Sequence, residues 1–122
     1  MQLPWEVQFH GEFEPEFDAL PVQVQDELFV RARMLATFGP SLGRPWADTL
    51  KGSRHVNRKE LRFRAVAGVW RAAFAFDPLR RAALLVCEDK AGVSEKRFYR
   101  ELIRKADLRF DRHLAGIRKQ KR

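Results

Sequence analysis

Apolar positions recur along this chain with two different periods, and the switches between them mark the elements. Trp5-Glu6-Val7-Gln8-Phe9 alternates apolar and polar with period two and predicts a first strand. Gly11 breaks that run. Phe13, Phe17 and Leu20 then follow at spacings of four and three, which predicts one face of a short helix, with Pro15 tolerable only in its first turn. After Pro21, the positions Val24, Leu28, Ala32 and Leu35 predict a second helix from Val22 to about Thr37, stopped by Gly39-Pro40. Residues 39–49 carry two Gly and two Pro and read as a loop. The period then returns to two. Leu61, Phe63 and Ala65 share one face of a strand and Glu60, Arg62 and Arg64 the other. Gly68 reads as a turn. In the next strand, Val69 to Phe76, the bulky Trp70, Phe74 and Phe76 share a face and Arg71 points away. Asp77-Pro78 and Arg80-Arg81 make a further turn. Ala82 to Cys87 is continuously apolar, as expected of a strand covered on both sides. The turns are too short for helical crossovers, so these three strands predict an antiparallel meander. Ser94 is a good N-cap, and Phe98, Leu102, Ala106, Phe110 and Leu114 predict a last helix from Glu95 to about Leu114. The fold class is therefore α+β: an N-terminal strand and two helices, a three-stranded meander and a C-terminal helix.

Composition narrows the picture. A length of 122 residues allows one domain, and 45% hydrophobic residues suffice for a core. The expected organisation is a domain over residues 1–114 and a mobile basic tail over 115–122. No apolar run approaches a membrane span and the N-terminus lacks the cations of a signal peptide, so a soluble cytoplasmic protein without a membrane partner is expected. The single cysteine, Cys87, excludes an internal disulfide. The net charge of +8 is unevenly spread. Residues 1–30 hold seven acids and no Lys or Arg, while the other 92 residues hold all 24 bases against nine acids. A chain so polarised is expected to offer a basic face to a polyanion or an acidic partner.

Most familiar chemistries find no support. His10, His55 and His113 are far apart in sequence with no ligand-spaced partners, so no metal site is expected. The scattered glycines form no phosphate loop or dinucleotide fingerprint, and no cofactor is expected. Cys87 reads as a buried small hydrophobe. What remains is a set of cations on strands and adjoining loops: Arg62, Arg64 and Arg71, with Lys90 after the third strand and Lys51 and Arg54 leading into the first. If these converge, their guanidinium forks can hold an RNA backbone and stabilise extra negative charge on a phosphorane-like transition state. The plainer reading is a solvated sheet face. His55 is a candidate for acid–base work because its ordinary pKa lies near working pH, and Tyr99 is a candidate for base stacking or phosphate binding.

The order of elements, together with Leu42-Gly43-Arg44-Pro45, Leu50-Lys51-Gly52-Ser53, Lys59-Glu60-Leu61-Arg62 and Val69-Trp70-Arg71-Ala72-Ala73-Phe74, resembles the RelE/ParE toxin superfamily, and within it the phage-derived HigB-type branch. The resemblance covers about residues 4–110. It implies a type II toxin that cleaves message on the ribosome without metal, by attack of the RNA 2′-hydroxyl on the adjacent phosphate, and a cognate antitoxin with a helix-turn-helix part. It also implies phosphate clamping by Arg71, transition-state charge or general-acid help from Arg62, and phosphate binding or influence on proton transfer for Lys51 and Lys90. One departure is plain. Where the family often carries a Tyr or His at the end of the last strand, this chain has Cys87-Glu88-Asp89-Lys90. Asp89, His55 and Lys90 remain open as general base. The ParE side of the superfamily offers a DNA gyrase inhibitor as the alternative, and a non-catalytic nucleic-acid-binding relic is a third.

Overall fold

The computed structural model describes residues 3–55 and 58–120. Five strands form one mixed sheet: β1 (Glu6–Phe9), β2 (Ala47–Thr49), β3 (Arg58–Ala65), β4 (Gly68–Phe76) and β5 (Arg81–Asp89). The helices are α1 (Glu14–Asp18), α2 (Val22–Phe38) and α3 (Glu95–Gln120). The spatial order is β1-β5-β4-β3-β2, with β3, β4 and β5 as the expected meander and β1 parallel to β5.

The sheet separates two apolar layers. On one face Leu61, Phe63, Ala72, Phe74, Ala82, Leu84 and Cys87 pack with Phe13, Phe17, Val24, Leu28 and Leu35 of α1, α2 and the turn before them. On the other Ala73, Ala75, Ala83, Leu85 and Val86 pack with Phe98, Leu102, Ala106 and Phe110 of α3. β5 is thus covered on both sides, which accounts for its unbroken apolar run. A register shift opposite Ala73/Phe74 lets Leu85 and Val86 both join the α3 layer.

Four sequence expectations are corrected. The stretch 39–49 is not all loop. It contains a 3₁₀ turn at Gly39–Ser41 and β2, an edge strand too short to show a period. Gly68 closes the β3–β4 turn but does not stand at its centre. Val66 and Ala67 make the β3–β4 turn at φ of +50° and +58°, and Gly68 opens β4 where a Cβ would stand 2.6 Å from Trp70 Nε1. α3 does not end near Leu114 but runs to Gln120, with Ile117 buried. The expected mobile tail is therefore helical as far as Gln120; Lys121 and Arg122 lie outside the described residues. The acidic N-terminal flank is partly neutralised in place. Arg109 of α3 forms a bidentate pair with Glu16, and Arg112 donates to both oxygens of Glu12 at 2.6 and 2.7 Å.

Candidate active site

Strand pairing builds the site. Arg62 of β3 stands directly opposite Arg71 of β4, and Glu60 directly opposite Asp48 of β2. Alternation keeps Glu60 and Arg62 on one face, and directly opposed residues share a face, so all four project to the α3 side. Arg71 in turn faces Glu88 of β5, whose carboxylate accepts from Lys105 at 3.1 Å. The first turns of α3 bring Tyr99 over this row. Arg71 Nε donates to the Tyr99 hydroxyl at 3.3 Å, and that hydroxyl donates to Glu60 Oε2 at 3.1 Å.

Two like charges directly across a sheet repel. Here Glu60 lies between them, with Oε1 3.9 Å from Arg71 Nε and Oε2 3.8 Å from Arg62 Nε. Asp48 adds a contact to Arg62 at 3.8 Å. One carboxylate shared by two guanidiniums at such distances leaves cationic donors for an arriving anion. Glu60 itself is buried, and its Oε1 has no hydrogen-bond partner. Burial raises its pKa above the ordinary glutamate value, against the opposing pull of Tyr99, Arg71 and Arg62. Burial likewise raises the Tyr99 phenol, helped by the hydrogen bond to Glu60, so Tyr99 is held as a donor. Lys90 completes the cluster. Its Nζ donates to Glu95 Oε1 at 3.1 Å and lies 5.9 Å from the Tyr99 ring centroid.

Two grooves open onto this row. One, of about 660 Å³, is lined by Arg31, Arg44, Trp46, Arg62, Arg64 and Arg71 among others. The second, of about 540 Å³, is lined by Asp48, Lys51, Glu60, Lys96 and Tyr99 and shares Arg44 with the first. Arg62, Arg71, Arg64, Lys51 and Tyr99 therefore line one trough made of the two grooves, and Lys90 stands outside both linings, beside the Tyr99 ring.

His55 and Arg54 are not gathered there. His55 Nε2 is 2.9 Å from Asp111 Oδ1, and Arg54 pairs with the same carboxylate. Asp111 lies twelve residues beyond Tyr99, about 18 Å along the helix axis. The pKa of His55 is lowered mainly by burial and then by Arg58. Asp89 is also committed elsewhere. Its Oδ1 accepts from the backbone N–H of Val69 and Ala91 at 3.0 and 2.9 Å, closing the strand end. Burial pushes the Cys87 thiol up to about 12, as fits a packing residue. Among the described residues, no group of three or more His, Cys, Asp or Glu side chains is arranged to hold a metal ion, and no helix is long and apolar enough to cross a membrane.

Sequence reasoning missed Glu60, Asp48 and Arg31 as members of this site. For Glu60 a signal existed: alternation puts it on the same face as Arg62, where a carboxylate among arginines is conspicuous.

The trough sits on a fold and sequence that have known relatives. The profile of the family described as "Phage derived protein Gp49-like (DUF891)" matches residues 15–111. The chain belongs to this Gp49-like family. It is 46% identical over 84 residues to the putative toxin HigB3 of Mycobacterium tuberculosis, covering 68% of this chain and 70% of that protein. It is 40% identical over 99 residues to the putative toxin HigB2 of the same organism, covering 80% of this chain. The chain spans only 49% of the length of HigB2. A double arginine-to-alanine mutant of the Escherichia coli toxin RelE, solved in its free state, superposes with a TM-score of 0.62 over 89% of this chain and 98% of that one, at 15% identity. That last likeness establishes a RelE fold for this Gp49-like chain.

Proposed function

We propose that this Gp49-like chain is the toxin of a toxin–antitoxin pair and acts as an endoribonuclease on message at the ribosome. The observation that carries the reading is the facing pair Arg62 and Arg71, with Glu60 between them and Tyr99 bridging Arg71 to Glu60. The putative toxins HigB2 and HigB3 support the toxin half of the reading.

The chemistry follows from the charges. A phosphodiester in the trough meets Arg71 and Arg62 through its non-bridging oxygens. Glu60 takes the proton of the neighbouring 2′-hydroxyl, and its raised pKa makes it a better base than an ordinary carboxylate. The 2′-oxygen bonds to phosphorus, and the P–O5′ bond breaks. The two guanidiniums neutralise charge on the pentacoordinate phosphorus. Lys90, beside Tyr99, gives a proton to the departing 5′-oxygen. The products are a 2′,3′-cyclic phosphate and a 5′-hydroxyl. Water then returns the protons, so the cycle balances without an added cofactor. Lys51 and Arg64 extend the phosphate contacts along the two grooves. The partner that silences the protein is a cognate antitoxin presenting acidic side chains to this trough.

Induced expression in a bacterial host tests the reading, with wild type beside Arg62→Ala/Arg71→Ala and primer extension on a translated message. Growth arrest with new message ends that vanish in the double variant is expected. Arrest with a DNA-damage response and intact message would overturn the nuclease in favour of gyrase inhibition. A soluble wild-type protein that arrests nothing would overturn both.

A further inference from the structure

Trp46 is 41% exposed and opens onto the arginine-lined groove beside the reacting row. Tryptophan, with an apolar ring and a polar N–H, is a residue type enriched at interfaces. Its backbone is fixed to the site, because the Arg62 N–H donates to the Trp46 carbonyl at 2.9 Å and the Trp46 N–H donates to Gly43 O at 3.0 Å. Its ring already takes a cation on one side. The Arg31 guanidinium carbon is 5.0 Å from the ring centroid, and Glu27 steadies that guanidinium from 3.4 Å on the same helix. The groove walls supply further cations, Arg44, Arg62, Arg64 and Arg71, against the single acid Glu27. Its volume of about 660 Å³ falls in the range that holds small ligands, about 300–1,000 Å³.

We propose that Trp46, backed by Arg31, is a base-stacking subsite that seats the nucleobase next to the phosphate held by Arg62 and Arg71. The inference rests on the endoribonuclease reading and deepens it by naming where the protein itself touches a base. A flat π-face set among guanidiniums matches a ligand that carries a flat ring and an anionic backbone together, which is single-stranded RNA. An apolar peptide would leave the arginines without counter-charge. The subsite orders one base, and with it the sugar whose 2′-hydroxyl faces Glu60.

The test is a fluorescence titration of the full chain with a short single-stranded RNA and with an abasic ribose-phosphate oligomer of the same length. Wild type should lose indole emission with the RNA and keep it with the abasic oligomer. Trp46→Ala should bind the RNA about tenfold or more weakly, the loss of one base–aromatic stack, and bind the abasic oligomer as wild type does. Trp46→Phe should restore most of the affinity while abolishing the emission change. Wild type that shows no base-dependent quenching, or Trp46→Ala that binds RNA as tightly as wild type, overturns the subsite. So does an equal loss toward the abasic oligomer, which would mean a damaged fold. The two readings separate cleanly. Base-dependent binding by a wild type that cleaves no message refutes the nuclease and upholds the subsite. Message cleavage with the same base preference in wild type and Trp46→Ala refutes the subsite alone.

Discussion

Glu60→Gln isolates the proton-accepting role from the structural one. Glutamine keeps the shape and can still accept the Tyr99 hydrogen bond, now at 3.1 Å to Oε2, but it cannot take a proton at working pH. A positioned general base is worth about 10²–10⁴ in rate, or about 3–5 kcal/mol of barrier. The expected loss in cleavage is therefore at least a hundredfold, in the step after binding. The assay is cleavage of a short message on purified ribosomes, read by primer extension across the pH range. In wild type the rate should climb on the acid side through a pKa above the ordinary glutamate value of 4.5, because burial raises Glu60. In Glu60→Gln that limb should be gone. A loss of threefold or less refutes the role. So does a large loss with the acid limb unchanged, which would make Glu60 a positioning residue for Arg71 and Tyr99. Stability gives an independent check with its own sign. A carboxyl whose folded pKa lies above its unfolded value favours folding below the unfolded pKa, and that contribution is lost as pH rises through the folded pKa. Glutamine stays neutral and escapes the loss. Glu60→Gln should therefore be more stable than wild type at neutral pH, with the difference shrinking toward zero as the pH falls below 4.5.

Arg62→Ala should lower message cleavage by about 10²–10³, the worth of one charge-stabilising donor, without lowering the melting temperature. Its side chain is 31% exposed, its acidic contacts are at 3.8 Å, and it repels Arg71. Val66→Asn/Ala67→Gly at the β3–β4 turn should raise stability by about 1–3 kcal/mol in thermal or urea unfolding, since both native residues hold a left-handed φ that costs about 1–2 kcal/mol for an ordinary side chain. Native protein at pH 8 should leave Cys87 unreacted with a thiol reagent, and urea should release one equivalent, because the thiol is buried with its pKa pushed up to about 12. Ile117→Ala should cost about 2 kcal/mol of stability, the low end for a buried isoleucine, which would tie the end of α3 to the folded unit.

The sequence carried the two periods faithfully because each element buries a single stripe or face. Leu61, Phe63, Trp70 and Phe74 lie on the α2 side where alternation puts them, and the Phe98-to-Phe110 stripe lies on the sheet. Local rules failed where tertiary context takes over. β2 is three residues long and exists because β3 offers it an edge. The β3–β4 turn uses Val66 and Ala67, residues no turn rule selects, and Gly68 answers a close approach by Trp70 instead. The extension of α3 past Leu114 has only Ile117 to announce it. In the site, strand alternation was enough to gather Arg62, Arg64 and Arg71. Pairing distance was not legible, so His55 and Arg54 stood beside Lys51 in the chain yet fold against Asp111.

The arrangement of charge across β3 and β4 runs against what folding alone would select. Two arginines face each other directly, and the one carboxylate between them is buried with an unpartnered oxygen. Either arginine replaced by a neutral strand former would relieve the repulsion, and a glutamine would relieve the buried charge at Glu60. Such a cluster lowers the free energy of an anion-bound state, not of the free protein. The free chain should therefore gain stability from any polyanion that fills the trough, in proportion to how well it reaches both guanidiniums. An added single-stranded RNA should raise the melting temperature of wild type and do so far less for Arg62→Ala/Arg71→Ala. Equal shifts in the two proteins would mean that the anion sits elsewhere on the basic face, and that the facing arginines are not held in opposition for the sake of a phosphate.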